Sequence, residues 1–357
     1  MAASLSGRDF GLGILTGCVI TIVLLLIGFW ALSRTNDTIY GLGHWKLSVR
    51  TPFESMWMNL GYWKTADGEP IKYFDQATRA LLENILQAAG LIPNDQHDEP
   101  PSQPLTKSVS VLDVGFGCGD QIIALTQLIQ AHRRPHFRYV GLTLNGTQLE
   151  EANRRLSNAI HTSPSHNNTA STISLPQDAF SLYRADAAKP ESWPKPIHSA
   201  IDNLADAATY QERWFLGLDT LYHFSPSRKP IFTLAAQTLD ANVMAFDLIL
   251  NDDASFLQTA AVRLLGFALS CPLRTFLTEA QYRAQMAECG YDEEQIEIRD
   301  ISDCVFAGLA GFLKKQDAAL SPYGIYMGGY KLVGRVYEWF DRTRVVKAAI
   351  VVGRTKK

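Results

Sequence analysis

Residues 109–121 read Val-Ser-Val-Leu-Asp-Val-Gly-Phe-Gly-Cys-Gly-Asp-Gln, and no other stretch constrains the fold as strongly. The first half is apolar and rich in β-branched residues, the pattern of a buried strand. Glycines then stand at alternate positions, 115, 117 and 119, and the helix-compatible run 122–129 follows. Glycine adopts positive φ at little cost and carries no side chain to hold a ligand away from the backbone. Strand, glycine turn and helix in that order predict an open α/β sheet. A ligand would sit at the strand's carboxyl end, beside a helix N-terminus. The spacing is G-x-G-x-G with Asp113 two residues before the first glycine. It differs from the G-x-G-x-x-G of dinucleotide sites. Taken alone, the turn also reads as a ligand-free strand–helix connection.

The rest of the chain narrows the function classes. Its 357 residues carry a net charge of −3 and are 46% hydrophobic, enough for a sizeable core. No basic block supplies phosphate neutralisation, so nucleic acid is not the expected partner. Cys18, Cys118, Cys271, Cys289 and Cys304 form no C-x-x-C, and His161 and His166 lack neighbouring ligands. No metal is expected, and scattered odd cysteines predict reduced thiols in a reducing compartment.

Residues 11–32 contain no charged side chain. As a helix these 22 residues span about 33 Å, the thickness of a bilayer core. A cleaved signal peptide is the competing reading, since Ala31-Leu32-Ser33 weakly resembles a cleavage site. The run is longer than a typical signal core and its leader is hardly basic, which favours a retained single-pass anchor. Arg34, Lys46 and Arg50 follow it, against Arg8 before it, so the catalytic part is expected in the cytosol. The expected organisation is an anchor over 1–34, an aromatic and helical segment with linker over 35–107, and a catalytic domain over 108–357. A lid insertion is expected at about 303–342.

The D-x-G-x-G-x-G of Asp113, Gly115, Gly117 and Gly119 resembles the cofactor loop of class I S-adenosylmethionine (SAM) methyltransferases. The resemblance implies a Rossmann-like α/β fold, a seven-stranded sheet with helices on both faces, here preceded by one transmembrane helix. The cofactor would be SAM, held by those residues and by Asp120 and Gln121 at the helix start. Asn59-Leu60-Gly61-Tyr62-Trp63 resembles the N-x-G-Y-W element of tocopherol, sterol and cyclopropane-fatty-acid relatives, which implies that Tyr62 covers the cofactor. Aromatic faces exclude water from a sulfonium and attract it. The same aromatics also read as interfacial residues below an anchor.

Strand two, over 137–145, carries Thr143 where most class I enzymes place a ribose-binding acid. Thr143 and Gln148 resemble the cyclopropane and sterol branch, where such residues take over that part of the pocket. Asp186 and Ala187 match the element that meets the adenine. Trp193 reads equally as an adenine-stacking or an exposed loop residue. Residues 215–224 resemble the fourth strand and its end, which places Asp219, Tyr222 and His223 near the transferred methyl. A His there and Asp247 on strand five resemble the base pair of rebeccamycin-type sugar O-methyltransferases, with His223 taking the acceptor's proton. A capping His and a structural Asp remain the bland alternative. The apolar run 254–271 suits a helix over the pocket or against the bilayer. The expected acceptor is a lipid or hydrophobic small molecule, with O-methylation favoured over C-methylation. A SAM-binding scaffold without catalysis is the third reading. The expected membrane is the endoplasmic reticulum rather than the mitochondrion.

Overall fold

Strand β1 (Val109–Val114) is buried along its whole length, so the sheet it belongs to is covered on both faces. The computed structural model describes residues 53–93, 107–131, 134–161, 173 and 175–356, together with Gly17 and Thr21. The expected transmembrane helix otherwise lies outside these residues, as do residues 94–106, 162–172 and 174. Among the described residues no helix is long and apolar enough to cross a membrane.

Beside β1 run β2 (Phe137–Thr143) and β4 (Glu212–Leu218), both parallel to it. β3 (Phe180–Arg184) and β5 (Asn242–Leu250) extend the parallel set outward on either side. β7 (Val346–Thr355) then inserts antiparallel between β5 and β6 (Tyr291–Asp300). The strand order is β3-β2-β1-β4-β5-β7-β6, as the seven-stranded expectation required. The chain steps one way from β1 to β3 and then restarts on the other side with β4. That reversal opens a crevice at the carboxyl ends of β1 and β4.

The two faces separate along β1 by the pleat. Leu112 and Val114 join a core with Ile197 and Ile201 of helix α4 (Lys195–Leu204). Val111 and Asp113 point to the opposite face. There α1 (Phe74–Ala89) packs on β5 and β7 and against α2 (Asp120–Ala131). Leu81, Leu82, Ile85 and Leu86 of α1 are fully buried, spaced as an amphipathic helix demands. Gly90 ends α1 in the left-handed conformation. Helix α3 (Gly146–His161) follows β2, and α5 (Lys229–Thr233) runs on into a π turn, Leu234–Thr238. Helix α6 (Phe256–Ala268) and α7 (Glu279–Cys289) each open with a capping box, from Ser255 and Thr278.

Between β6 and β7 lie α8 (Ser302–Leu320) and α9 (Gly329–Thr343), so the expected insertion is a helix pair. The chain divides into two compact units. One holds Phe53–Lys314 and Gly329–Lys357, including the whole sheet and α1. The other comprises Met1–Pro52 and Lys315–Gly328, whose described part includes the end of α8 and a 3-10 turn closed by Gly324.

Two strand ends are set by local backbone. β4 stops at Leu218 because Asp219 takes φ +60°, outside the extended region, and Leu221–His223 forms a 3-10 turn. β6 begins at Tyr291, directly after Gly290, with an irregular register before Ile296. Its first residues are mostly polar and lack alternation. Replacing Leu81 by Ala leaves a cavity under α1 and is expected to lower the unfolding free energy by about 2–5 kcal/mol in denaturant titrations.

Candidate functional site

The turn after β1 holds three glycines at positive φ: Gly115 at 82°, Gly117 at 64° and Gly119 at 102°. Two are forced by crowding as well. A Cβ on Gly115 would stand 2.7 Å from Thr220 Oγ1, and one on Gly119 would stand 3.0 Å from Ala152 Cα. At Gly117 nothing lies nearer than Met58 Sδ, 3.9 Å away. The middle glycine therefore faces open space, as a backbone cradle for a ligand must.

A strap of residues 56–60 crosses this cradle. Met56 N–H donates to both oxygens of Asp120 at 3.2 Å, and the Gln148 amide donates to Met58 Sδ at 3.3 Å. Leu60 N–H donates to Asp219. The strap thus runs from the start of α2 to the end of β4. Arg155 fixes its near end, bonding Asp120 at 3.1 Å and the carbonyls of Phe53 and Glu54. Beneath the strap is a narrow cleft, its cavity about 20 Å³, whose lining includes Met58, Asn59, Gly115, Gly117, Asp120 and Leu218. Met58 is 61% exposed, so the cover over Gly117 is one side chain open to solvent.

Several sequence-predicted residues meet here and others do not. Asp120 and Gln121 both border the cleft. The Gln121 amide, however, turns inward and donates to Asp113 at 2.7 Å. Asp113 is fully buried and also accepts from Tyr139 Oη at 2.6 Å. It braces β1, β2 and α2 rather than touching a ligand, because the pleat directs it away from the crevice. Phe116 and Cys118 are packed. Thr143 donates to Gln148 at 3.0 Å, so that pair is assembled, with Met58 beside it.

Asp186 accepts from Ala188 N–H at 3.0 Å and pairs with Lys189, and Ala187 is buried. Trp193 is neither exposed nor free to stack: it is 5% exposed in the core and donates to the Asp186 carbonyl. Tyr62 is absent from the cleft lining. The N-x-G-Y-W element docks on its own surroundings instead. Asn59 bridges Gly61 N–H and the Thr78 carbonyl, and Trp63 packs on Phe74 and Phe312. The Tyr62 phenol bonds Cys304, and burial together with that thiol pushes its pKa up to about 12.

At the end of β4, Tyr222 Oη donates to Asp219 at 2.7 Å. Burial pushes the Asp219 carboxyl up to about 7 despite the bonds from Tyr222 and Leu60. His223 stands exposed against the Tyr222 ring, its Nδ1 3.5 Å from both the Ser270 carbonyl and Cys271 Sγ. Partial burial lowers its pKa, so the imidazole is neutral at pH 7. The expected His223–Asp247 pair is not formed. Asp247 is fully buried on β5 and bound instead by Arg228 at 3.3 Å and Tyr282 Oη at 3.0 Å. A buried carboxylate takes the nearest buried cation, and Arg228 is 2% exposed. Among the described residues no His/Cys/Asp/Glu group could hold a metal.

Sequence reasoning missed Arg155, Arg228 and the strap. Arg228 stands in Ser-Pro-Ser-Arg-Lys-Pro, a surface-like context, and nothing local marks it as a core cation. Arg155 lies on a polar helix whose period gives no hint of a partner in the segment before α1. Tyr337 of α9, whose pKa burial and the nearby Asp219 and Cys271 push far up, completes the polar ring at the β4 end.

The chain has the fold of the class I SAM-dependent methyltransferases. No family model matches it, and no curated protein does. Solved structures do. The cyclopropane synthase MmaA2 of Mycobacterium tuberculosis superposes with a TM-score of 0.54 at 14% identity, covering 84% of this chain and 90% of that one. Geranyl diphosphate C-methyltransferase of Streptomyces coelicolor A3(2), solved with Mg2+, geranyl diphosphate and S-adenosyl-L-homocysteine, gives 0.53 at 11%, covering 84% and 92%. The cyclase SpnF gives 0.50 at 13%, covering 84% and 88%. Likeness at this identity defines a fold, and one fold hosts several chemistries.

Asp113 provides a pH test of the brace. Burial pushes its carboxyl up to about 7, against the ordinary carboxylate range of about 4 in an unfolded chain. The folded protein therefore keeps this proton after the unfolded chain has lost it. The stability that the group contributes is present below pH 4 and is lost as pH rises to 7. Asp113→Asn cannot titrate, so urea unfolding should show the variant gaining on the wild type between pH 4.5 and 7.5. A difference that stays flat across that range contradicts the buried, uncompensated carboxyl.

Proposed function

We propose that this protein is a SAM-dependent methyltransferase, anchored through residues 11–32 in a membrane of the endoplasmic reticulum with its catalytic unit in the cytosol. Its acceptor is a lipid or hydrophobic small molecule. The carrying observation is the turn after β1: an open, positive-φ Gly117 between two glycines that tolerate no side chain, at the switch point of the sheet. The residues there suit SAM. Gly115, Gly117 and Gly119 present backbone to its methionine end, Asp120 stands at the helix start, and Thr143 with Gln148 offers a hydroxyl and an amide to the ribose. Asp186 and Ala187 are the residues assigned to the adenine. When bound, the cofactor supplies an electrophilic methyl on sulfur. The protein's own part is mostly alignment of the acceptor for in-line attack and exclusion of water by the strap.

His223 is the proposed proton acceptor, supported by its neutral imidazole and its place at the β4 end. It acts without Asp247, which Arg228 holds. Asp219 and Tyr222 form the wall beside it. Transfer to carbon is the second reading, favoured by the two neighbours that are a cyclopropane synthase and a C-methyltransferase.

Incubating the full chain with a lipid extract and methyl-labelled SAM should place label in one hydrophobic product, whose fragmentation separates O- from C-methylation. Gly117→Val forces a side chain into the cradle and should reduce labelling more than tenfold with folding intact by circular dichroism. His223→Ala should cost about tenfold, less than the about 10²–10⁴ of a full acid–base contribution. Full activity in His223→Ala removes the base assignment. Undiminished labelling in Gly117→Val removes the SAM site.

A further inference from the structure

Helix α6 turns an apolar face outward. Phe256 is 84% exposed, Leu257 78%, Leu264 67% and Phe267 64%, with Leu269 and Leu273 continuing the patch. Large apolar side chains gathered this way mark an interaction surface rather than chance exposure. The orientation is fixed, not loose. Val262 and Gly266 are buried on the inner side, and a Cβ on Gly266 would stand 2.4 Å from the Phe276 ring. A Ser255–Gln258 capping box sets the start of the helix. The helix contains no acid, and its one basic residue, Arg263, is half-buried.

We propose that this face of α6 docks into the surface of a lipid bilayer, the one that holds residues 11–32. The inference rests on reading 11–32 as an anchor and is independent of the SAM site. Twenty residues, 33–52, separate that run from the described unit beginning at Phe53. Fully extended, that stretch reaches at most about 70 Å, which keeps the unit at high local concentration over the membrane. A weak apolar contact then suffices for docking. A second copy of the chain fits less well. Thirteen residues of helix are about 20 Å long, so the face offers a few hundred Å², against the about 800 Å² per partner of a stable dimer.

The docking has a functional direction. The segment after α6 carries the Ser270 carbonyl and Cys271 Sγ, both 3.5 Å from His223 Nδ1. A bilayer under α6 therefore lies next to the mouth where the proposed base stands. A hydrophobic acceptor can pass from lipid to His223 without crossing bulk water. Because the contact is apolar, salt should not weaken it, unlike a basic patch on anionic lipid.

The test uses the full chain reconstituted in phosphatidylcholine vesicles, with a fraction of the lipid carrying a doxyl quencher in its acyl chain. An environment-sensitive fluorescent amino acid replaces Leu264, or Asp202 on α4 as a solvent-facing control. The expected result is at least twofold quenching at 264, none at 202, and no change between 0.05 and 0.5 M salt. Phe267→Glu should abolish quenching of a probe at 257. An unquenched, water-like probe at 264 in carbonate-resistant protein overturns the proposal. So does a blue-shifted but unquenched probe, which means that protein covers the face: either a second copy or residues 11–32 themselves. Carbonate-extractable protein overturns it too, by removing the tether. SAM labelling measured on the same samples separates each of these failures from a failure of the catalytic reading.

Discussion

The close approach of the glycine turn to its neighbours is the constraint from which the site follows. Gly115 leaves no room for a side chain beside Thr220, and Gly119 leaves none above Ala152. The end of β1, the loop after β4 and helix α3 can converge only because those two positions are bare. Gly117, between them, is bare for a different reason: only Met58 lies near it, as a cover. Packing fixes the outer glycines and so presents the middle one to the crevice. The strap over it is tied at both ends by acids, Asp120 through Met56 and Asp219 through Leu60.

Four carboxylates lie in or near this region, and the sheet handles them in two ways. Asp120 and Asp247 receive guanidinium partners, Arg155 and Arg228. Asp113 and Asp219 receive only phenols, an amide and a backbone N–H, and burial pushes both up to about 7. A carboxyl without a cation can keep its proton near neutrality. The arginine-bound pair ties helices and strap to the sheet, and burial raises the pKa of all four carboxyls. That suits a site for a cationic sulfonium less through charge attraction than through shape and exclusion of water.

Much of this was legible in the chain itself. Residues 109–121 announced strand, turn and helix, and β2, β4 and β5 were placed too, whereas β3, Phe-Ser-Leu-Tyr-Arg, carries no apolar run to mark it. Thr143 and Gln148 were singled out by resemblance and do meet. What escaped notice was long-range. Arg155 lies 101 residues from Glu54, whose carbonyl it binds, and no local pattern records such a pair. Arg228 sits in a sequence that reads as surface yet is buried under Asp247. That pairing dissolved the expected His223–Asp247 couple, because an unpaired aspartate on a central strand would be far costlier than one held by arginine. Tyr62 misled for the opposite reason. Its motif is real, but Asn59 and Trp63 spend it on packing against α1 and α8.

The central claim is that the crevice under the strap is a SAM site. Isothermal titration of the full chain with S-adenosylhomocysteine, followed by hydrogen exchange with and without it, tests this most directly. The account predicts one-to-one binding and altered exchange confined to residues 56–60, 115–121 and 143–148. Absence of binding heat, or binding that leaves residues 115–121 unchanged, would contradict it.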